Sequence, residues 1–154
     1  MQALSKQTQA HLDRWLQQTL ETYPSQTLRF LHSEKDRFRN PVGHTLREGL
    51  ATLLDEIIGE MNLARIRPAL ESIVRLRAVQ DFTPSQAVGF VYLLRDILDE
   101  EAKGGGSMGF QKRIDELALL AFDLFMKCRE EMYEIKAREA QRKVYVLERL
   151  YQRT

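Results

Sequence analysis

The sequence predicts an all-α fold, in which a single bundle of five to six helices is combined with a long C-terminal helix. Apolar residues recur at three- and four-residue steps along almost the whole chain, which is the spacing of one helix face. Only 8 Gly and 4 Pro occur in 154 residues, too few for the many turns of an all-β protein. Hydrophobic residues make up 44% and charged residues 29%, ordinary values for a chain that buries a core.

Charge, cysteine content and hydropathy narrow the class of protein. The formal net charge of +1 provides no basic surplus for neutralising phosphates, which argues against a nucleic-acid-binding protein. The single cysteine, Cys128, cannot form an internal disulfide. The longest uncharged stretch, residues 82–94, is shorter than the roughly 20 residues of a membrane span, and the N-terminus lacks the apolar core of a signal peptide. We therefore expect a cytoplasmic protein that does not enter a membrane.

The first part of the chain predicts three helical segments. The first ends before Pro24, because proline lacks the N–H that continues a helix. A short segment around Phe30 follows, and Asn40-Pro41 is a turn signal before the third helix. Gly49 in that helix costs about 1 kcal/mol relative to alanine, so we expect close helix packing there. The apolar stripes of the first and third helices are Leu12, Trp15, Leu16, Leu20 and Tyr23, and Val42, Leu46, Leu50, Leu53, Leu54, Ile57, Ile58 and Met61.

Two further helices are predicted before residue 101. The fourth spans about residues 64–80. Thr83 is expected to cap the next helix, and Gln86, three residues later, completes a capping box. The apolar run after this cap continues to Leu98 and predicts one central helix of the bundle.

The last third of the chain predicts a linker and one long helix. Gly104 to Ser107 are typical of a flexible linker between the bundle, residues 1–103, and the C-terminal helix, residues 108–154. Residues 134–143 of this helix are mainly polar. The inner half is expected to pack on the bundle through Ile114, Leu117, Leu120, Ala121, Leu124, Phe125, Cys128 and Met132, whereas a second apolar stripe contains Val144, Leu147, Leu150 and Tyr151.

Two interpretations of the second stripe remain open at this point. A continuous helix carries these four residues roughly 20 to 30 Å beyond the bundle contact, and a clustered apolar stripe usually marks a partner surface. The candidate partner-binding residues are then Val144, Leu147, Leu150 and Tyr151, most simply in a homodimer. Alternatively, the helix breaks near Glu139 and folds back to cover its own stripe.

The sequence contains no motif that predicts catalysis or a metal centre. The histidines are His11, His32 and His44, and none follows a glutamate by three residues, as di-metal bundles require. His44 and Glu48 share a helix face, but one such pair is a frequent accident. Cys128 lies on an apolar face, where free cysteine is usually a buried hydrophobe. We expect no cofactor, metal or catalytic residue; the alternative is a small helical-bundle enzyme or metal-binding protein that uses the bundle interior.

The arginines of the fourth helix form the main cluster of basic residues. Together they could bind a phosphate or an acidic partner. However, helical spacing places them on more than one face, which favours an ion-pair stripe of Arg67, Glu71 and Arg75. The cluster consists of Arg65, Arg67, Arg75 and Arg77.

Two segments resemble a known protein family. Residues 36–50, DRFRNPVGHTLREGL, and residues 75–88, RLRAVQDFTPSQAV, are similar to the N-terminal domain family of the RsbT co-antagonist RsbRD. The resemblance covers about residues 12–101, and the string RAVQDFTPSQAV is its most specific part.

The resemblance implies a bacterial, all-helical and non-catalytic input domain of the stressosome type. Such domains usually precede an output domain, often a STAS domain. No such sequence follows Tyr151 here, so we expect either a stand-alone member of the family or a chain cut at the linker to its output domain. Related input domains are globin-like without haem, which by analogy makes a globin-like bundle an expectation. We therefore expect a sensory or docking module that binds a signalling protein and acts by helix displacement.

Overall fold

Seven α-helices make up the fold in the computed structural model, which describes residues 5–36, 38–101 and 108–153. No β-strand occurs in these ranges, so the predicted all-α class is confirmed. The predicted linker, Gly104 to Ser107, lies outside the described residues. The helices are α1 (Lys6–Leu20), α2 (Ser25–Ser33), α3 (Pro41–Ile58), α4 (Leu63–Ala78), α5 (Pro84–Val88), α6 (Phe90–Glu101) and α7 (Met108–Gln152).

Side-chain caps fix where the helices begin. Asn40 Oδ1 accepts a hydrogen bond from the Gly43 amide at 2.8 Å, directly before Pro41 at the start of α3. Thr83 and Gln86 form the predicted capping box of α5: each side chain accepts from the backbone amide of the other, at 3.3 and 3.0 Å. Both starts therefore follow from local sequence, because each cap satisfies an amide that the first helical turn leaves free.

The core lies between α3 and α4 on one side and α1, α6 and α7 on the other. Helices α3 and α4 pack closely at Gly49. A Cβ atom at this position would lie 2.8 Å from Cδ1 of Ile73, so only glycine fits without a shift of that side chain. The predicted close packing at Gly49 is confirmed.

The predicted central helix is divided at Gly89, which is why the described residues form seven helices rather than six. Side chains from distant helices donate to carbonyls on both sides of this division. Arg77 Nε donates to Ala87 O at 2.7 Å, Arg77 Nη2 donates to Gln86 O at 2.9 Å, and Trp15 Nε1 donates to Phe90 O at 2.7 Å. Donors from α4 and α1 thus satisfy carbonyls where the helical ladder is interrupted.

Candidate interaction site on the C-terminal helix

Helix α7 is held against the bundle by its first half. It packs on α4, α5, α6 and α3, and the side chains on its bundle-facing side are buried. This apolar face covers about four turns of the helix. Its buried members are Ile114, Leu117, Ala118, Ala121, Leu124, Phe125 and Cys128.

Two arginines bind α7 to the ends of neighbouring helices. Arg113 Nη1 donates to the carbonyls of Ile57 and Gly59 at the end of α3, both at 2.7 Å. Arg129 Nη2 donates to the carbonyls of Gln80 and Phe82 between α4 and α5, at 3.1 and 3.0 Å. These bonds satisfy carbonyls at helix ends and fix α7 in register along the bundle. Sequence reasoning missed both contacts, because the acceptors are backbone groups remote in the chain.

Beyond Met132 the helix leaves the bundle. Every residue from 133 to 153 is exposed, although α7 continues without a break to Gln152. The alternative in which the helix breaks near Glu139 and folds back is therefore wrong. At 1.5 Å per residue, the 45-residue helix is about 68 Å long, and the exposed part contributes about 30 Å.

The four predicted partner-binding residues all lie on this exposed segment. Their exposed fractions are 55% for Val144, 65% for Leu147, 57% for Leu150 and 84% for Tyr151. At 100° per residue, three of them share one side of the helix, whereas Leu150 lies at the edge of that side. The structure thus brings Val144, Leu147 and Tyr151 together and separates Leu150 from them.

Sequence reasoning missed three apolar residues nearer the bundle. Leu119, Phe122 and Met126 are all exposed, although they lie in the half of α7 that packs on the core. They point away from the bundle because they occupy the opposite side of the helix from Ile114 and Leu117. The signal that could have found them is their own three- and four-residue spacing, which runs parallel to the core stripe.

Cavities in the described structure offer a second kind of candidate site. A shallow groove of about 640 Å³ at the junction of α1, α2, α4 and α5 is lined by Tyr23, Pro24, Val79 and Phe82 among others. Beneath it lies Arg77, which is fully buried. Its guanidinium carbon lies 5.4, 4.4 and 5.4 Å from the ring centres of Tyr23, Phe82 and Phe90.

Burial of Arg77 beside Tyr23 shifts the pKa values of both side chains. Burial lowers the pKa of Arg77 from its ordinary value, opposed by the nearby Tyr23. Burial also raises the pKa of Tyr23 above its ordinary value, although the positive charge of Arg77 opposes the rise. Because the Arg77 guanidinium is enclosed by rings and by backbone acceptors, its role is to hold the helices together.

The predicted basic cluster of α4 is dispersed in the structure. Arg77 is buried, and Arg65 near the start of α4 pairs with two residues near the end of α3, with Asp55 at 2.9 Å and with Glu56. Arg75 Nη2 lies 2.9 Å from Glu71 Oε1, so the Glu71–Arg75 half of the expected ion-pair stripe is confirmed. The four arginines therefore do not form one anion-binding surface.

The histidines and the cysteine lie apart from one another. His11 is buried in α1, and His44 Nε2 lies 3.0 Å from Glu48 Oε1 on α3. The side chain of His32 lies outside the described part of the chain. Cys128 is buried, and burial raises the pKa of its thiol, which disfavours the reactive thiolate. Among the described residues, no three His, Cys, Asp or Glu side chains are grouped so that they could hold a metal ion.

Within residues 5–36, 38–101 and 108–153, no helix combines the length and the apolar character needed to cross a membrane.

Comparisons with known proteins identify one matching family. The model of the RsbT co-antagonist protein rsbRD N-terminal domain matches residues 9–140. A protein of Archaeoglobus fulgidus, described as uncharacterized, is 26% identical over 99 residues, which cover 61% of this chain and 66% of the relative. No solved structure matches. The family match extends beyond the two segments that carry the resemblance and includes most of α7.

Proposed function

Because the chain belongs to the RsbT co-antagonist RsbRD N-terminal domain family, we propose that it is a non-catalytic signalling input module that acts by binding other protein chains. The exposed end of α7 is the interaction element, and its simplest partner is a second copy of the chain. The observation that carries this proposal is the continuous helix over residues 133–153, in which every residue is exposed. The cytoplasmic location expected from the sequence is part of the same proposal.

The exposed segment has the composition of a binding surface. Val144, Leu147 and Tyr151 present apolar side chains at helical spacing, and the residues between them are mainly polar or charged. A cluster of exposed apolar side chains is unfavourable in water and is typical of a protein–protein contact. Burial against a partner removes that apolar area from solvent, which stabilises the contact by roughly 25 cal/mol for each Å² buried.

The bonds of Arg113 and Arg129 support a role in transmission. They connect α7 to the end of α3 and to the loop between α4 and α5. A displacement of the end of α3 or of this loop would therefore be passed to α7 through the hydrogen bonds that the two arginine side chains donate to backbone carbonyls. We infer that a signal received by the bundle changes the position of α7 and so alters the contact made by its exposed end.

Truncation after Glu134 tests the proposal. We expect the full chain to self-associate in light scattering and the truncated chain to be monomeric. Its melting temperature should equal that of the full chain at concentrations low enough to dissociate the dimer, because the removed residues are exposed in the single chain. A truncated chain that melts at lower temperature with an unchanged oligomeric state would show that the segment stabilises its own bundle and would overturn the proposal. A point variant with intact length, Leu147→Glu, should reproduce the loss of association and so exclude an effect of shortening.

A further inference from the structure

We propose that a second copy of this chain packs in parallel along one continuous side of α7, so that the two helices form a two-stranded coiled coil. The inference rests on the proposed function, because it specifies the partner and the geometry of that contact. The surface concerned, here the outward seam, begins in the half of α7 that lies on the bundle and continues to its exposed end. Its large apolar members include Leu119, Phe122, Met126, Tyr133, Val144 and Leu147.

The seam is defined by its spacing. From Leu119 to Tyr151, successive seam positions are three or four residues apart, and Ala137 and Ala140 fill the interval after Tyr133. At 100° per residue, all these positions fall within an arc of about 80° along roughly 48 Å of helix. Such a narrow stripe at three- and four-residue steps, with two four-residue steps in succession only from Arg129 to Ala137, is the pattern of a coiled-coil contact.

The seam does not overlap with the face that packs on the bundle. The buried side chains of Ile114, Ala121 and Cys128 are centred about 120° away around the helix. The bundle of the same chain therefore covers one side of α7 and leaves the seam exposed. A second chain that packs along the seam would bury it.

One charged residue occupies a seam position, and its contacts explain why it is tolerated. Arg129 lies between Met126 and Tyr133, but its guanidinium donates to the carbonyls of Gln80 and Phe82 and lies 5.1 Å from the Phe125 ring centre. The charge is therefore directed towards the bundle and away from the middle of the seam. A partner helix can pack there without burying an unpaired cation.

The residues of the exposed end favour a two-stranded, symmetric contact. In the heptad frame of this segment, Val144 occupies an a position and Leu147 the following d position. A β-branched residue at a with leucine at d favours parallel pairs over trimers or tetramers. Since the seam is the same on both copies, two chains related by a twofold axis place Val144 beside Val144 and Leu147 beside Leu147.

The charges beside the seam select the parallel orientation. One edge carries Asp123, Glu130 and Glu148, and the other carries Lys136 and Lys143, all exposed. In a parallel pair the acidic edge of one helix faces the basic edge of the other, so Lys143 lies opposite Glu148 of the second copy. In an antiparallel pair each edge faces itself, which places carboxylate against carboxylate and ammonium against ammonium.

Oxidative crosslinking tests the orientation. Tyr133→Cys and Leu147→Cys, introduced separately, are each expected to form a disulfide with the second copy under mild oxidation. The two positions are about 21 Å apart along the helix. A parallel pair places both positions beside themselves, whereas an antiparallel pair has a single crossing point and can crosslink at only one of them. The wild-type chain is the control, because its one cysteine, Cys128, is buried.

Two glutamate variants test whether the seam is the surface that associates. Val144 is 55% exposed and lies on the seam, whereas Val146 is 52% exposed and lies on the opposite side of the same helix turn. We expect Val144→Glu to weaken dimerisation about 30- to 100-fold, since both copies lose one buried side chain. The matched variant Val146→Glu should change the dissociation constant by less than about threefold. Analytical ultracentrifugation measures both constants.

The outcomes separate this inference from the proposed function. A dimer that crosslinks through neither cysteine, or through one alone, would overturn the parallel seam and leave association through α7 intact. Equal effects of Val144→Glu and Val146→Glu would also overturn the seam. A full-length chain that is monomeric at all accessible concentrations would overturn both the parallel pair and the proposed self-association.

Discussion

The substitution Arg77→Met measures how much the buried guanidinium contributes to the fold. Methionine keeps a long apolar stem in the same space but has no N–H groups. The change removes the hydrogen bonds to the carbonyls of Gln86 and Ala87 and two 3.2 Å contacts to the Thr22 hydroxyl. It also removes the positive charge from the faces of three aromatic rings.

The expected loss of stability follows from these contacts. Each buried carbonyl that loses its donor costs about 1–3 kcal/mol, and the ring contacts add roughly 1 kcal/mol. The relief of burying a charge without a carboxylate partner offsets part of this sum. We therefore expect Arg77→Met to lower the free energy of unfolding by about 3 kcal/mol. For a chain of this length, that corresponds to a decrease of roughly 6–12 °C in Tm.

Urea unfolding followed by circular dichroism provides the assay, with Arg75→Met as the matched control. Arg75 lies on the same helix two residues away, but its side chain is 57% exposed and pairs with Glu71 at the surface. Such exposed pairs contribute less than about 1 kcal/mol. Similar unfolding midpoints for Arg77→Met and the wild type, or equal losses in the two variants, would refute the assigned role of Arg77 at the α5–α6 division.

Three further substitutions test other parts of the fold. Thr83→Ala should lower the free energy of unfolding by about 1 kcal/mol in urea titrations, because the Gln86 amide loses its acceptor; an unchanged midpoint would mean that α5 does not depend on this cap. Gly49→Ala should cost about 1 kcal/mol, as the new Cβ lies 2.8 and 2.9 Å from Cδ1 and Cγ1 of Ile73, and Ile73→Ala, which removes both atoms, should make the same change nearly neutral in a double-mutant cycle. Burial raises the pKa of Tyr23 above 10.0, so the stability that the neutral phenol contributes below pH 10 is lost as pH rises through the raised value. Tyr23→Phe should therefore lose less free energy of unfolding than the wild type between about pH 10 and 12, and parallel plots of this free energy against pH would contradict the assignment.

Local chemistry determined which parts of the fold could be predicted. The capping box of Thr83 and Gln86 and the turn at Asn40 depend on residues within one helical turn, so the sequence alone contains them. The continuity of α7 could be predicted for the same reason, because strong helix formers and the absence of proline after Met108 act locally.

The division at Gly89 could not be predicted, because its donors are remote in the chain. Arg77 and Trp15 reach the carbonyls around Gly89 only after α4 and α1 have packed against α5 and α6. For the same reason the sequence alone groups Arg77 with the other arginines of α4, although the rings that enclose it come from three other segments. In the candidate site, the second stripe was visible in the sequence, whereas the exposure of Leu119 and Phe122 depends on which side of α7 meets the bundle.

The exposed end of α7 has a consequence for amide hydrogen exchange. An isolated helix of about 21 residues is only marginally stable in water, because the first turn is difficult to nucleate. Here the docked half of α7 supplies the nucleus, so residues 133–153 need only extend a helix that already exists. In a single chain, protection of the amides should therefore decline steadily from Tyr133 towards Gln152 as the end frays. A partner along this segment would replace the gradient with nearly uniform protection, so the exchange profile of one helix reports whether its end is bound.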